Sequence, residues 1–185
     1  IIVISEDQKN RFEKLFPLAA KKVELAENGY DTNKFYVDEN IKKEDVIGNL
    51  ESQNKNNQKI PLDYDKLVVF VGKFAEFKGI DVLLDSAKIY EEKMAQNGKK
   101  VETIIVGSGQ LENDLKKQAK DLELKNVDFV GRKNTEEVNK IQNLADVSLI
   151  PSRNEPFGLV VVEGMACGHP VIATNSGGIP GILNS

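Results

Sequence analysis

The sequence contains one cysteine, one histidine and no tryptophan among its 185 residues. The single cysteine, Cys167, excludes an internal disulfide and any zinc site built from cysteines. With only one histidine, His169, a metal site with two histidine ligands is excluded as well, and no Ser-His-Asp or Cys-His catalytic arrangement is evident. The low cysteine content fits a reducing compartment.

Long apolar runs and an excess of positive charge are also missing. No run of about 18 apolar residues occurs, so the sequence predicts no membrane-spanning segment. A net charge of -4 argues against a general nucleic-acid binder, which would normally be basic. The apolar start, Ile1–Ile4, is too short for a signal peptide, and no initiator methionine precedes it. We therefore expect a fragment of a longer protein.

Short apolar segments alternate with helical periodicity after Pro61. The apolar segments are rich in β-branched residues and do not strictly alternate with polar ones, as expected of strands that are covered on both faces. We predict strands at Leu67–Val71, Val101–Val106, Val127–Val130, Val147–Ile150 and Val171–Ala173, and helices at Ile80–Met94, Leu111–Leu122, Thr135–Leu144 and Phe157–Ala166. This alternation predicts an α/β fold with a parallel sheet, right-handed crossovers and helices on both faces.

The residues before Pro61 follow a different pattern. Ile1–Ile4 reads as a buried strand, and Ser5 is predicted to cap a helix with Gln8 as its reciprocal partner. That helix should end near Phe16, and a short extended piece should follow at 22–26. Residues 37–60 are rich in polar and charged side chains, and they are predicted to form a linker with a short exposed helix near 41–47. The main domain is expected at 61–185.

Ligands of parallel sheets bind beyond the carboxyl ends of the strands, so the loops after each strand matter most. The first of these loops carries Lys73 and Lys78 just before a helix. The free N–H groups of a helix N-terminus favour anions, and two ammonium groups beside them suit a diphosphate. The alternative is that both lysines are solvated surface residues.

The second and third loops carry glycines and cations. Gly107 and Gly109 allow the backbone to approach a ligand or to form a tight turn without function. They do not form a dinucleotide fingerprint, because the third glycine would fall at Glu112. In the third loop, Arg132 is predicted either to stack on a nucleobase or to reach a phosphate. The alternative is that Arg132 and Lys133 are two solvated surface charges.

The fourth loop and its helix contain two glutamates. Glu155 is predicted to cap the helix, with Pro156 in its first turn, and Glu163 interrupts an otherwise apolar helix. If both glutamates were helical, they would be separated by a rise of about 12 Å, which suits two contacts to different parts of an extended ligand. Gly164 costs about 1 kcal/mol relative to alanine, which packing alone does not explain. The alternative is one capping and one surface glutamate.

Three other features of this region are less specific. The amides of Gly158 and Leu159 at the helix start are expected to hold a phosphate. The glycine-rich loop around Gly177 either approaches a ligand or forms a simple turn. Cys167 is expected to be an inert core residue, and His169 is expected to lie at an edge position rather than to be catalytic.

These motifs together resemble the donor-binding half of GT-B glycosyltransferases, and most closely retaining family 4. The resemblance rests on Glu155-Pro156-Phe157-Gly158-Leu159 through Glu163, followed by Ala166-Cys167-Gly168 and 170–174. The segment from Val71-Gly72-Lys73 to Lys78-Gly79 resembles the diphosphate loop of that family, and 106–109 and 129–131 resemble two further loops. Ser5-Glu6 and Asn28-Gly29-Tyr30-Asp31 with Phe35 resemble the crossing from the first domain, so residues 1–36 would be the tail of that domain.

The resemblance implies a C-terminal Rossmann-like domain that binds a UDP-, GDP- or ADP-sugar without a metal or another cofactor. Lys73, Lys78 and Glu155 would be catalytic, with the lysines at the leaving diphosphate and Glu155 at the hydroxyls of the transferred sugar. Glu163 would accept from the ribose hydroxyls, and Arg132 would lie near the base. The other donor-binding residues would be Gly107, Gly109, Phe157, Gly158 and Leu159.

The resemblance also implies partners and a location. The acceptor, a saccharide or a lipid-linked glycan, would bind the N-terminal domain, and the enzyme would be cytoplasmic or peripheral at the inner face of the membrane. The isolated fragment should bind nucleotide weakly and should not transfer sugar. The alternatives are an epimerase, hydrolase or phosphorylase of the same fold, or a non-catalytic nucleotide-binding module.

Three positions depart from the pattern of this family. Lys73 stands where arginine is usual, which loses the bidentate guanidinium contact to the diphosphate. Gly164 stands where alanine is common. Gly181 stands where an acidic residue often follows the segment Gly-Gly-Ile-Pro, here 177–180. We assign no role to Gly181.

Overall fold

The structure is a computed structural model that describes residues 1–53 and 59–183. The strands are β1 (Ile2–Val3), β2 (Glu24–Leu25), β3 (Lys66–Val71), β4 (Val101–Val106), β5 (Val127–Gly131), β6 (Val147–Ile150) and β7 (Val171–Ala173). The α-helices are α1 (Glu6–Leu15), α2 (Lys43–Gln53), α3 (Ile80–Gln96), α4 (Glu112–Asp121), α5 (Thr135–Leu144), α6 (Leu159–Ala166) and α7 (Ile179–Leu183). Short 3-10 helices occupy Pro17–Lys22 and Glu76–Lys78.

The main sheet has five parallel strands in the order β5-β4-β3-β6-β7. Its central strands are mostly apolar and almost fully buried because helices cover both faces, and the predicted Rossmann-like α/β fold is confirmed. The chain runs outward from β3 first toward β4 and β5, and later toward β6 and β7. The loops after β3 and β6 therefore lie side by side at the point where the strand order reverses.

Three apolar clusters pack against the sheet, and the smallest joins Ile150 of β6 to Val161 of α6 and Ile179 of α7. On one face, Leu67, Val69 and Ile104 pack with side chains of α2 and α5. On the other face, Phe70 and Ile105 pack against α3 and α4. Within the described ranges, no helix is both long and apolar enough to cross a membrane.

Helix α2 corrects the expectation for the linker. The predicted short exposed helix near 41–47 is in fact Lys43–Gln53, and Val46, Ile47 and Leu50 are buried in the core. These three residues share one helix face, so they pack on the sheet although the surrounding sequence is polar. Residues 54–58 of the predicted linker lie outside the described residues, and the domain boundaries at 36/37 and 60/61 stay a prediction.

The first residues form a small parallel sheet in which β1 pairs with β2. The prediction of a buried strand is wrong for Ile1 and Ile2, which are 55% and 72% exposed, because nothing described packs over them. Helix α1 begins after Ser5 as predicted, and the Ser5 hydroxyl accepts from the Gln8 amide at 3.3 Å. The Gln8 side chain accepts from the Ile4 amide rather than from that of Ser5.

Gly164 has a packing reason that the sequence did not reveal. A Cβ atom at this position would lie 3.1 Å from both His169 Nε2 and Val171 Cγ2, so the missing side chain lets α6 approach β7. His169 is buried rather than at an edge; its Nε2 lies 2.8 Å from Ser148 Oγ, and burial lowers its pKa. Cys167 is also buried, and burial raises its pKa to about 11, in agreement with an inert core thiol.

Two carboxyl groups are buried side by side in the sheet. Glu102 on β4 is 1% exposed and Asp128 on β5 is 4% exposed. Burial, reinforced by the neighbouring Asp128, raises the pKa of Glu102 to about 9, and burial also raises the pKa of Asp128. The pair therefore holds a proton at neutral pH, because two adjacent charged carboxylates in the core would be costly.

Replacing Glu102 by glutamine should flatten the dependence of stability on pH. An unfolded glutamate loses its proton near its ordinary pKa, whereas folded Glu102 keeps it up to about pH 9, so stability falls as pH rises between these values. The loss is up to about 1.4 kcal/mol per pH unit for one proton. Urea unfolding at pH 5, 7 and 9 should show the advantage of Glu102→Gln growing with pH. The exposed control Glu24→Gln should follow the wild-type dependence of unfolding free energy on pH. If Glu102→Gln follows it as well, the proton held by the Glu102–Asp128 pair is contradicted.

Candidate functional site

The loops after β3 and β6 are joined by an ion pair. Lys78 Nζ donates to Glu155 Oε2 at 2.5 Å, and the two side chains are only 16% and 9% exposed. Ser152 Oγ donates to the same carboxylate oxygen at 3.3 Å. The other oxygen of Glu155 thus stays available to accept hydrogen bonds from a ligand.

Local backbone geometry brings these two loops together. The 3-10 turn that carries Lys78 ends at Gly79, which adopts a left-handed conformation (φ 66°) immediately before α3. A Cβ atom on Gly79 would lie 2.0 Å from the Pro151 carbonyl oxygen, so a side chain there would force the loops apart. Gly79 is therefore required for the approach of Lys78 to Glu155.

A cavity of about 380 Å³ opens beside this ion pair, and we name it the β6 cavity. Lys73 and Lys78 line it from the first loop. The fourth loop and α6 supply most of the remaining lining, namely Glu155, Pro156, Phe157, Leu159, Val160 and Glu163. The structure thus gathers around one cavity two cations, two carboxylates and the start of a helix.

A second cavity of about 430 Å³, the β4 cavity, lies beyond the ends of β4 and β5. Gly107, Gly109 and Arg132 line it, as does Lys133. Lys73 lines both cavities, which therefore adjoin. The Lys73 side chain is exposed, and its ammonium makes no hydrogen bond or ion pair with another residue of the described part of the chain. The arrangement fits one elongated ligand that passes Lys73.

The glycines of the second loop have a structural role beside any contact with a ligand. A Cβ atom on Gly107 would lie 1.8 Å from the Gly72 carbonyl oxygen, and one on Gly109 would lie 2.3 Å from that of Phe74. Close packing of the second loop on the first is therefore sufficient reason for both glycines. Both glycines also line the β4 cavity, but a contact with a ligand is not needed to explain them.

Helix α6 begins later than predicted. Its first residue is Leu159, with Gly158 as N-cap, so Glu155 and Pro156 lie in the loop before the helix. Glu155 is therefore not a cap, and the spacing of about 12 Å, which assumed two helical residues, does not apply. Gly158 is buried and lines neither cavity, while Leu159 and Val160 present the first turn of α6 to the β6 cavity.

Glu163 is a half-buried carboxylate with unused hydrogen-bonding capacity. Its carboxylate makes no hydrogen bond or ion pair with any residue in the ranges 1–53 and 59–183. Burial raises its pKa. Because Glu163 lines the β6 cavity, its oxygens are placed to accept from hydroxyl groups of a ligand.

The fifth loop braces the fourth loop and lines neither the β6 cavity nor the β4 cavity. Thr174 Oγ1 donates to the Ser152 carbonyl at 2.5 Å, and Ser176 Oγ donates to that of Arg153 at 2.7 Å. The Gly178 amide donates to the Glu155 carbonyl at 2.8 Å. Sequence reasoning missed this role, for which the hydroxyl residues beside the glycines are the only local signal.

The described residues contain no group of three or more histidine, cysteine or acidic side chains placed to hold a metal ion. The candidate site is therefore built from two lysines, two glutamates, an arginine and the first turn of α6. Such a set provides cations for an anionic ligand and carboxylates for hydroxyl groups.

Comparison with known proteins places this geometry in context. Residues 52–185 match the family model described as "Glycosyl transferases group 1". The uncharacterized glycosyltransferase MJ1607 of Methanocaldococcus jannaschii is 31% identical, over 99% of this chain and 44% of the relative. The chain thus spans less than half the length of that relative.

Solved structures show the same fold. Sucrose-phosphate synthase from Thermosynechococcus elongatus has a TM-score of 0.69 and 29% identity, covering 96% of this chain and 41% of the synthase. Anabaena Alr3699/HepE, solved in complex with UDP-glucose, has a TM-score of 0.71 and 24% identity, covering 98% of this chain and 46% of that protein.

Proposed function

Because the chain belongs to the glycosyl transferases group 1 family, we propose that it binds the nucleotide-diphosphate sugar from which the full-length protein transfers a sugar to an acceptor hydroxyl. The observation that carries this proposal is the pair of adjoining cavities, which share Lys73 and bring Lys78, Glu155 and Glu163 around one of them. Both volumes lie within the range of about 300–1,000 Å³ that is usual for ligand pockets.

The diphosphate is proposed to lie between the two lysines. When the sugar is transferred, its C1–O bond to the diphosphate breaks and the electron pair stays on the leaving oxygen. The acceptor oxygen forms the new bond to C1, and its proton passes to the leaving diphosphate oxygen. Lys73, Lys78 and the amides at the start of α6 stabilise the growing negative charge, so in this proposal transfer needs no metal or cofactor.

The carboxylates are proposed to hold the two sugars of the donor. Glu155 uses the oxygen that Lys78 and Ser152 leave free to accept from hydroxyls of the transferred sugar, with buried Phe157 beside it. Glu163 accepts from the ribose hydroxyls. The nucleoside then extends past Lys73 into the β4 cavity, where Arg132 lies near the base. The complex of Alr3699/HepE with UDP-glucose supports this fold as one that accommodates such a ligand.

Retention of anomeric configuration, an acceptor saccharide or lipid-linked glycan, and a cytoplasmic location stay predictions from the family resemblance. The test of the proposal is calorimetry with UDP, GDP and ADP and with their sugar conjugates, followed by turnover with a panel of acceptors. We expect one nucleoside diphosphate to bind at least about tenfold more tightly than its monophosphate, because the lysines contact the second phosphate. No binding of any nucleotide to the full-length protein would refute the proposal.

Nucleotide affinity should depend on the ionisation of Glu163. Its raised pKa means that it takes up a proton at a higher pH than an ordinary glutamate, and a protonated carboxyl accepts fewer hydrogen bonds from ribose. Affinity should therefore fall in the mildly acidic range, and Glu163→Gln should weaken binding about tenfold at neutral pH. Protonation of the nucleotide phosphates affects the wild type and Glu163→Gln equally, so the ratio of their affinities reports only the ionisation of Glu163. A ratio that does not change with pH would contradict this role.

A further inference from the structure

Arg153 connects three loops at the switch point of the sheet. Its guanidinium forms a bidentate pair with Asp81, with Nη1 and Nη2 donating to the two carboxylate oxygens at 2.8 and 2.6 Å. Nη1 also donates to the Glu76 carbonyl at 2.8 Å, and the Arg153 amide donates to that of Phe77 at 2.7 Å. The Arg153 carbonyl in turn accepts from Ser176 Oγ.

These contacts surround Lys78 in the chain. Glu76 and Phe77 immediately precede Lys78, and Asp81 lies in the first turn of α3, three residues after it. Arg153 itself is two residues from Glu155. One side chain thus fixes the segments that carry both members of the Lys78–Glu155 pair, although Arg153 lines neither the β6 cavity nor the β4 cavity.

The exposure of this pair argues that it does not exist for stability. The Arg153 and Asp81 side chains are 44% and 45% exposed, and ion pairs this exposed contribute little to folding. The Arg153 pairing nevertheless lowers the pKa of Asp81, and the planar fork adds a directed bond to a carbonyl. What this geometry supplies is a fixed orientation between two loops.

We propose that Arg153 is a positioning residue that holds Lys78 against Glu155 and thereby sets the distance between the diphosphate and the sugar subsites. Its effect on ligand binding rests on the proposed function, whereas its effect on the loops does not. A lysine at position 153 would keep the charge but would lose the fork, so charge alone and orientation are separable.

The experiment compares Arg153→Ala and Arg153→Lys with Arg11→Ala, a control that removes an arginine from another exposed Arg–Asp pair, Arg11–Asp7. Amide hydrogen exchange of the full-length protein is measured at 76–79 and 152–155. Both variants at position 153 should exchange about tenfold faster there than wild type, and the control should not. Unchanged exchange in Arg153→Ala would overturn the proposal whether or not any nucleotide binds.

Nucleotide affinity supplies the second readout, with UDP, GDP and ADP and their monophosphates as probes. Arg153→Ala should lower the affinity for the nucleoside diphosphate about tenfold and the affinity for the monophosphate much less, because the effect passes through Lys78. Arg153→Lys should resemble Arg153→Ala. Equally weakened binding of diphosphate and monophosphate, or wild-type diphosphate affinity in Arg153→Lys, would overturn the positioning role while leaving the donor-binding function intact. If no nucleotide binds but exchange rises as expected, the proposed function fails and the loop contact stands.

Discussion

Lys78→Met should destabilise the protein by about 3 kcal/mol and abolish measurable binding of nucleoside diphosphates. The substitution leaves Glu155, only 9% exposed, as an unpaired carboxylate, and loss of one partner of a buried ion pair is strongly destabilising. It also removes one of the two cations proposed to contact the diphosphate, which should cost at least about tenfold in affinity by itself. Urea unfolding and calorimetry measure the two effects separately.

A double variant distinguishes the structural role of Lys78 from its role in binding. Replacing a buried ion pair by apolar residues is often neutral, so Lys78→Met with Glu155→Leu should recover most of the stability but none of the affinity. Lys73→Met serves as the matched control. The exposed Lys73 ammonium pairs with no side chain among the described residues, so this variant should lose affinity without losing stability. Recovery of nucleotide binding in the double variant would show that Lys78 acts only in folding.

Glu155→Gln in the full-length protein should lower kcat for sugar transfer by about 100-fold or more. Glutamine has nearly the same shape, but it is uncharged and presents an NH₂ group to either Lys78 or the sugar, so a contact that should strengthen in the transition state is lost. Steady-state kinetics with the donor varied checks this expectation, and exposed Glu76→Gln in the neighbouring loop is the control. Activity within about twofold of wild type would contradict a catalytic role of Glu155.

The alternation of strands and helices could be predicted because each of those elements carries its own periodicity. The predicted strand Val101–Val106 and helix Thr135–Leu144 agree with the structure at both ends. Helix α2 was misjudged because only three apolar residues in a polar segment form its buried face. The start of α6 was also misjudged, since the left-handed Gly158 (φ 111°) replaces the expected side-chain cap.

For the candidate site, the order of strands and loops predicted which segments share an edge of the sheet. It could not predict the partners, because Lys78 and Glu155 are 77 residues apart and meet only through the approach of Gly79 to Pro151. The contacts of Arg153 with Asp81 and of Ser176 with Arg153 are equally nonlocal. A single sequence contains no signal that joins such pairs.

The most direct test of the account is an NMR titration of the ¹⁵N-labelled protein with sugar nucleotides of uracil, guanine and adenine. For one of them, amide signals at 72–79 and 155–163 on the β6 cavity should shift together with those at 107–109 and 131–133 on the β4 cavity, along a single 1:1 saturation curve. Shifts confined to one cavity, or shifts that cluster away from Lys73 for every ligand, would contradict a donor that spans both.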